Sequence, residues 1–304
     1  MSGKKSGLLS RIGRFVFLLY TQLSACQTAD GSSTFRGLGH VNSRRDTLTV
    51  TFELRPPTSE DPSVSAIKNS SRRRKKKSMQ EITIQVDLLQ DTTALRSRTG
   101  DTGSVLWRAS IALAEVILQE QHYPAGEPFL DPTALANAHV LELGSGTGLL
   151  GVLLSPMVRR YTVTDISVLL PLIRKNIILS YPDWPKPSAK GGNITVEELD
   201  WVALQSMPFA ARAKYVPYID DGSPDLVLLV DCIYNPSLLL PLVETLDYIS
   251  GHATTVVVVS ELRAEDVVRS FLELWTTRPG WKLWRTGNSV LGMPYVVWLG
   301  TKQG

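Results

Sequence analysis

Cysteine and histidine are scarce in this chain: two cysteines, Cys26 and Cys232, and four histidines among 304 residues. Two cysteines in unlike contexts build no disulfide framework, and with so few histidines they offer no metal cage. The expected compartment is therefore a reducing one, the cytoplasm, and the expected chemistry is free of metal. Long apolar runs are missing too. Stretches such as 226–230 and 256–259 fall far short of the roughly 18 to 20 residues that cross a bilayer, so no membrane-spanning helix is expected. Charge is not in excess either: 20% charged against 43% hydrophobic residues is a globular balance, which excludes a wholly disordered or collagenous chain.

What charge there is falls unevenly. Residues 1–29 contribute +4, residues 30–56 +1 and residues 57–79 +5 to a chain total of +3, which leaves −7 on residues 80–304. An acidic body is a poor generic phosphate binder and suits a cationic substrate.

Three segments follow from these shifts. Residues 1–46 form an N-terminal segment whose basic start and short apolar stretch, Phe15 to Tyr20, read either as an amphipathic helix capping the domain or as an organelle-targeting leader. Residues 47–99 carry two alternating runs, Thr47 to Leu54 and Glu81 to Leu88, expected to pair as an accessory β-hairpin. Between them, residues 57–79 culminate in six consecutive cations, Arg72 to Lys77, and read as a solvated, disordered insertion or a nuclear or ribosomal RNA contact. Residues 100–304 form the main domain. A helix is expected there behind Ser104 as N-cap, with Leu106, Ala109, Leu113, Val116 and Ile117 on one face. Compact apolar strands then alternate with helices: 140–143, 161–164, 194–199, 226–230 and 254–259. Such near-continuous strands belong to an α/β fold whose parallel sheet is covered on both faces. The last pair, 281–285 and 295–299, is joined by a turn too short for a crossover helix and must be antiparallel.

The strongest local signal is VLELGSGTGLLG, Val140 to Gly151: an apolar strand containing Glu142, a glycine-rich turn, then a helix. Gly144 and Gly146, flanking Ser145, allow a tight turn and close approach of a ligand, and Gly148 close packing of the helix. From Gly146 onward the string also satisfies the dinucleotide fingerprint G-x-G-x-x-G. Register opposes that reading, because Gly144 closes the strand and Leu149 then stands where the third glycine belongs. Glu142, read as charged, would also repel a pyrophosphate. Asp165 ends the next strand, 21 residues beyond Gly144, where a carboxylate can accept from both hydroxyls of a ribose. Asp200 and Trp201 end the third strand, placed for an exocyclic amine and a purine face.

This order of motifs resembles the seven-strand class I S-adenosylmethionine-dependent methyltransferases. Asp231-Cys232-Ile233-Tyr234 is similar to the D-x-x-Y signature of the protein lysine methyltransferases grouped as methyltransferase family 16. Gln90 to Thr93 and Gly100 to Trp107 resemble the segment before the first helix in the fungal branch containing ribosomal lysine methyltransferase 5. The likeness covers roughly residues 81–304; the basic insertion and the cationic N-terminus have no counterpart in it. The resemblance implies a Rossmann-like sheet with an antiparallel terminal strand pair and S-adenosyl-L-methionine as cofactor. It implies that Trp107 lines the methionine side, Gly144 to Gly146 lie under the cofactor, Asp165 holds the ribose, Trp201 flanks the adenine and the backbone near Val230 closes the floor. Asp231 and Tyr234 would face the substrate as the catalytic pair.

Methyl transfer from a sulfonium is an in-line displacement, so alignment and charge management suffice. A lysine amine, with a reference pKa of about 10.4, must first lose its proton. On this reading solvent takes that proton while Asp231 and Tyr234 orient the amine with acceptor oxygens. The expected partner is a lysine-bearing protein, ribosomal on the branch resemblance, met by a monomer with neither nucleic acid nor membrane as substrate. The basic run 72–77 leaves a nuclear location open. A small-molecule amine N-methyltransferase and a non-catalytic cofactor-binding module are the alternatives; a base methyltransferase lacks its Asn/Asp-Pro-Pro-aromatic motif at Asp231 to Tyr234.

Overall fold

The structure, a computed structural model, describes residues 2–29, 39–42, 44–57, 80–93, 102–216, 222–288 and 290–303. Residues 58–79 of the basic insertion lie outside the described residues. Alternation in TLTVTFEL puts Leu48, Val50, Phe52 and Leu54 on one buried face of β1 (Thr47–Leu54). β2 (Ile82–Leu89) pairs with it antiparallel, Thr47 opposite Leu89 and Leu54 opposite Ile82.

The main sheet has seven strands: β3 (His139–Leu143), β4 (Arg160–Asp165), β5 (Ile194–Glu198), β6 (Leu226–Val230), β7 (Thr255–Glu261), β8 (Trp281–Arg285) and β9 (Tyr295–Lys302). Their order is β5-β4-β3-β6-β7-β9-β8. All neighbours are parallel except β9, which runs antiparallel to both β7 and β8. The expected antiparallel terminal pair is therefore present, β9 lying between β7 and the edge strand. β3, β6 and β7 are buried almost throughout, because helices cover both faces.

The period of two splits the core. Val140, Leu228 and Val257 point into one layer, shared with β1, β2, α2 (Arg108–His122), α4 (Leu149–Leu154) and α5 (Leu170–Ser180). Leu141, Leu229 and Val258 point into the other, shared with α8 (Pro236–Ile249) and α9 (Glu265–Thr276). Other α-helices among the described residues are α3 (Pro132–Asn137), α6 (Trp201–Ser206) and α7 (Phe209–Tyr215). The β1–β2 ladder thus packs into one of the sheet's own core layers. α1 (Ser2–Ala29) covers the second face: Ile12, Val16, Leu19 and Leu23 form a buried stripe in the layer that α9 also fills. No helix among the described residues is long and apolar enough to cross a membrane.

Three helix starts are capped by side chains. Asp131, Asp200 and Asn235 accept amide hydrogen bonds at the starts of α3, α6 and α8, and Pro occupies the first turn of α3 and α8. Ser104 does not cap α2. The helix begins at Arg108, Trp107 makes no side-chain cap, and the Arg108 amide donates instead to the Gly39 carbonyl at 2.9 Å. An extended piece of the N-terminal chain does the capping, with the Val41 amide donating to the Leu106 carbonyl. Gln90 ties this joint together: its amide nitrogen donates to the carbonyls of Asn42 and Arg45, and its amide oxygen accepts from the Leu106 amide at 3.1 Å.

Candidate active site

Along the chain, β3, β4 and β5 step one way across the sheet and β6 and β7 the other, so the strand order reverses between β3 and β6. Loops diverge at such a switch point, leaving a crevice beyond the carboxyl ends of the strands. A cavity of about 530 Å³ lies there, lined by the residues that follow β3, β4, β5 and β6 and by Thr102 to Trp107.

The turn after β3 is left-handed at Gly144 and Gly146, with φ of 65° and 58°. Glycine is needed there for a second reason, which is packing. A Cβ on Gly144 would stand 2.8 Å from the Cys232 sulfur and 3.3 Å from the Trp201 ring, and one on Gly146 3.0 Å from the Gly103 carbonyl. Asp165 fastens the turn to β4: one carboxylate oxygen accepts from the Gly146 amide and the other from the Ile166 amide, both at 2.8 Å. Trp201 and Asp200 line the cavity from the start of α6, where Asp200 caps the helix. Val230 forms part of the wall, and Trp107 joins it with its indole nitrogen donating to the Thr102 carbonyl at 2.8 Å.

Ten of the eleven residues singled out from the sequence line this cavity: Trp107, Gly144, Ser145, Gly146, Asp165, Asp200, Trp201, Val230, Asp231 and Tyr234. The eleventh, Glu142, does not. It is buried behind the turn, its carboxyl accepting from the Tyr161 hydroxyl at 3.0 Å. Burial pushes its pKa up to about 8, against the hydrogen bonds from Tyr161 and Ser145. Glu142 is therefore mostly protonated at neutral pH, and the repulsion of a pyrophosphate expected of it is not exerted. The reason is its place in the middle of a strand covered on both faces, where no water solvates a charge.

Asp231 and Tyr234 occupy the β6–α8 loop. Tyr234 is 36% exposed at the rim. Asp231 has φ of 60°, the one left-handed residue other than glycine among those described, so the loop stores backbone strain at this point. Its carboxylate does not stand open to an incoming amine. Arg263, just past β7, takes both oxygens, Nη1 on Oδ1 at 3.1 Å and Nη2 on Oδ2 at 2.5 Å, while the Glu261 amide donates to Oδ1 at 3.3 Å. Burial pushes the Asp231 carboxyl above the usual carboxylate range, and Arg263 and the Glu261 amide pull against it. Arg263, although desolvated, is held above its ordinary value by Asp231 and Glu261, so it stays a cation. Cys232 is buried, its thiol pushed far up by burial and by neighbouring carboxylates, which makes it inert.

Arg263 was not anticipated from the sequence. The register was the available signal: Val230 pairs with Val259, so the strand end that carries Asp231 is level with the one leading to Glu261-Leu262-Arg263.

Residues 89–277 match the family described as lysine methyltransferase. The chain belongs to that family. Among curated proteins it is 26% identical over 299 residues to ribosomal lysine N-methyltransferase 5 of Zygosaccharomyces rouxii, covering 87% of this chain and 88% of that one. It is 32% identical over 194 residues to the diaminohydroxyphosphoribosylamino-pyrimidine deaminase of Schizosaccharomyces pombe, covering 62% of this chain and 41% of that protein. It is 31% identical over 178 residues to protein-lysine N-methyltransferase EEF2KMT of Bos taurus, covering 53% and 46%. The chain thus spans less than half the length of these last two relatives.

Proposed function

We propose that this lysine methyltransferase family member is an S-adenosyl-L-methionine-dependent protein-lysine N-methyltransferase of the cytoplasm, acting on a ribosomal protein. The observation that carries the reading is the cavity at the switch point, whose lining includes Asp165, Trp201, Asp231 and Tyr234 together. The residues fit the cofactor. A carboxylate can accept about four hydrogen bonds, and Asp165, already oriented by two amides, suits a vicinal diol. Trp201, Trp107 and Val230 line the same cavity and would flank the adenine, the methionine end and the floor of the cofactor. When bound, S-adenosyl-L-methionine supplies an electrophilic methyl group on a sulfonium.

The protein's own share of the reaction is alignment. Tyr234 at the rim orients the incoming amine, and Asp231, clamped by Arg263, lends a fixed negative charge rather than a mobile proton acceptor. Solvent takes the amine's proton before it enters. The ribosomal assignment leans on the relative from Zygosaccharomyces rouxii, which this chain spans to 88% of its length.

Two experiments test the reading. Titration calorimetry should show binding of S-adenosyl-L-methionine and its demethylated product and none of NAD; NAD binding without response to the methyl donor would refute it. Incubation with tritiated cofactor and a proteome from cells lacking the protein should label lysines of one or a few proteins, ribosomal ones among them. Label on small amines alone would move the substrate class.

A further inference from the structure

The guanidinium of Arg263 sits in a cage of two acids and an aromatic ring. Besides its two bonds to Asp231 it donates to Glu261 Oε2 at 3.0 Å, and its central carbon lies 5.1 Å from the centroid of the Trp107 ring. The side chains of Asp231 and Glu261 are only 1% and 7% exposed, and that of Arg263 is 25% exposed. Two buried carboxyl groups thus share one guanidinium.

The N-terminal chain presses on this cage. Gly39, with φ of 94°, lies so close that a Cβ there would stand 2.1 Å from Arg263 Nη2 and 2.7 Å from Glu261 Oε2. His40 meets the Trp107 ring edge-on, centroids 6.2 Å apart, and forms a β-bridge with it. Tyr20 on α1 also feels Arg263, together with Glu265 and Asp266 at the start of α9. Two separate stretches preceding the family match thus converge on one guanidinium.

We propose that Arg263 is a positioning residue of the methyl-transfer site: its guanidinium fixes both oxygens of Asp231 and the charge they carry, and Gly39 seats that guanidinium, so the N-terminal chain completes the site. The inference rests on the activity proposed above. A carboxylate buried at a strand end is held charged only by its partners. The charged groups facing Asp231 are Arg263 and Glu261. The titratable groups facing Arg263, besides Asp231 and Glu261, are His40 and Tyr20. Across Cys232 stand Asp165 and Glu142, and neither supplies a cation. With Arg263 gone, only the Glu261 amide still opposes burial, the Asp231 carboxyl moves further up, and the negative charge it lends the site weakens.

The test reads Asp231 directly. In the full chain carrying ¹³C-labelled aspartate, the Asp231 carboxyl resonance is assigned by its loss in Asp231→Asn and titrated in the wild type, Arg263→Gln, Arg263→Lys and Gly39→Ala. Removing an opposite charge at this distance should move the midpoint upward by about 1 to 3 pH units in Arg263→Gln, with a smaller rise in Arg263→Lys. Gly39→Ala should shift it the same way, since the added methyl displaces the guanidinium. The rate of methylation of a heat-inactivated proteome with tritiated S-adenosyl-L-methionine should gain an alkaline-shifted limb in Arg263→Gln of the same size. An unmoved Asp231 midpoint in a folded Arg263→Gln overturns the proposal; if that variant does not fold, unmoved midpoints in both Arg263→Lys and Gly39→Ala do so. Shifted midpoints with an unshifted rate profile overturn the positioning role. Shifted midpoints in a wild-type protein that labels nothing refute the proposed activity and leave the Arg263–Asp231 coupling standing.

Discussion

Glu142→Gln should stabilise the protein at neutral and alkaline pH. The carboxyl is buried in mid-strand, and its pKa rises from 4.5 to about 8 on folding. Between those two values the folded chain holds a proton that the unfolded chain has released. Stability therefore falls as pH climbs through that window, and levels off above about pH 8. At about 1.4 kcal/mol per pH unit, the loss across the window is on the order of 5 kcal/mol, a large part of the roughly 5 to 15 kcal/mol that holds a typical domain together. Glutamine has the same shape, keeps an oxygen for the Tyr161 hydroxyl and cannot ionise, so the variant should lose this slope. Urea unfolding followed by tryptophan fluorescence, at pH 5 and again at pH 8.5, gives the two stabilities for each protein. Wild type and variant should be close at pH 5 and diverge at pH 8.5, the variant being the more stable. Curves that stay parallel at both pH values would mean that Glu142 is already charged in the fold at neutral pH, and the account of the turn's electrostatics would be wrong.

Asp165→Ala should weaken S-adenosyl-L-methionine binding by about 1 to 3 kcal/mol, measured by calorimetry, through loss of ribose acceptors and release of the Gly146 amide; unchanged affinity would restrict Asp165 to fastening the turn. Asp231→Asn, in which the new side chain tolerates the left-handed backbone, should leave cofactor affinity within a few-fold while turnover falls by about a hundredfold or more; wild-type turnover would remove Asp231 from the site. Deletion of residues 57–79 should leave the melting temperature and cofactor binding nearly unchanged, since a Ser-rich segment with six consecutive cations has little apolar surface to bury. Unfolding on deletion would show that the core reaches into it. If this run recruits an RNA-bearing particle, methylation of that particle should also fall on deletion and depend steeply on salt.

Much of the frame was legible because it rests on local pattern. Uninterrupted runs such as Leu226 to Val230 signal a sheet covered on both sides, and the short 285–295 connection forces β8 and β9 to be antiparallel. Asp165 at the end of β4 and Trp201 just beyond β5 could be placed because a parallel sheet sends all its carboxyl ends to one side. What stayed hidden depends on contacts distant in sequence. Asp231 and Arg263 meet only because β6 and β7 are neighbours, and Ser104 loses its capping role to a carbonyl from Gly39. Glu142 misled for a different reason: composition counts a carboxyl as charged, and only its surroundings reveal that it is mostly neutral near pH 7.

The docking of α1 sets an order of events during synthesis. This helix is made well before α9, yet Ile12, Val16 and Leu19 bury themselves in a layer built from α8 and α9, the latter spanning Glu265–Thr276. At about 5 to 20 residues per second, its seat is absent for on the order of ten seconds to nearly a minute. Throughout that interval an apolar stripe, flanked by Phe17 and Leu18 that remain exposed even in the finished fold, lacks the helix it packs against. Closure of α1 on α9 is therefore a step that cannot precede synthesis of residue 276.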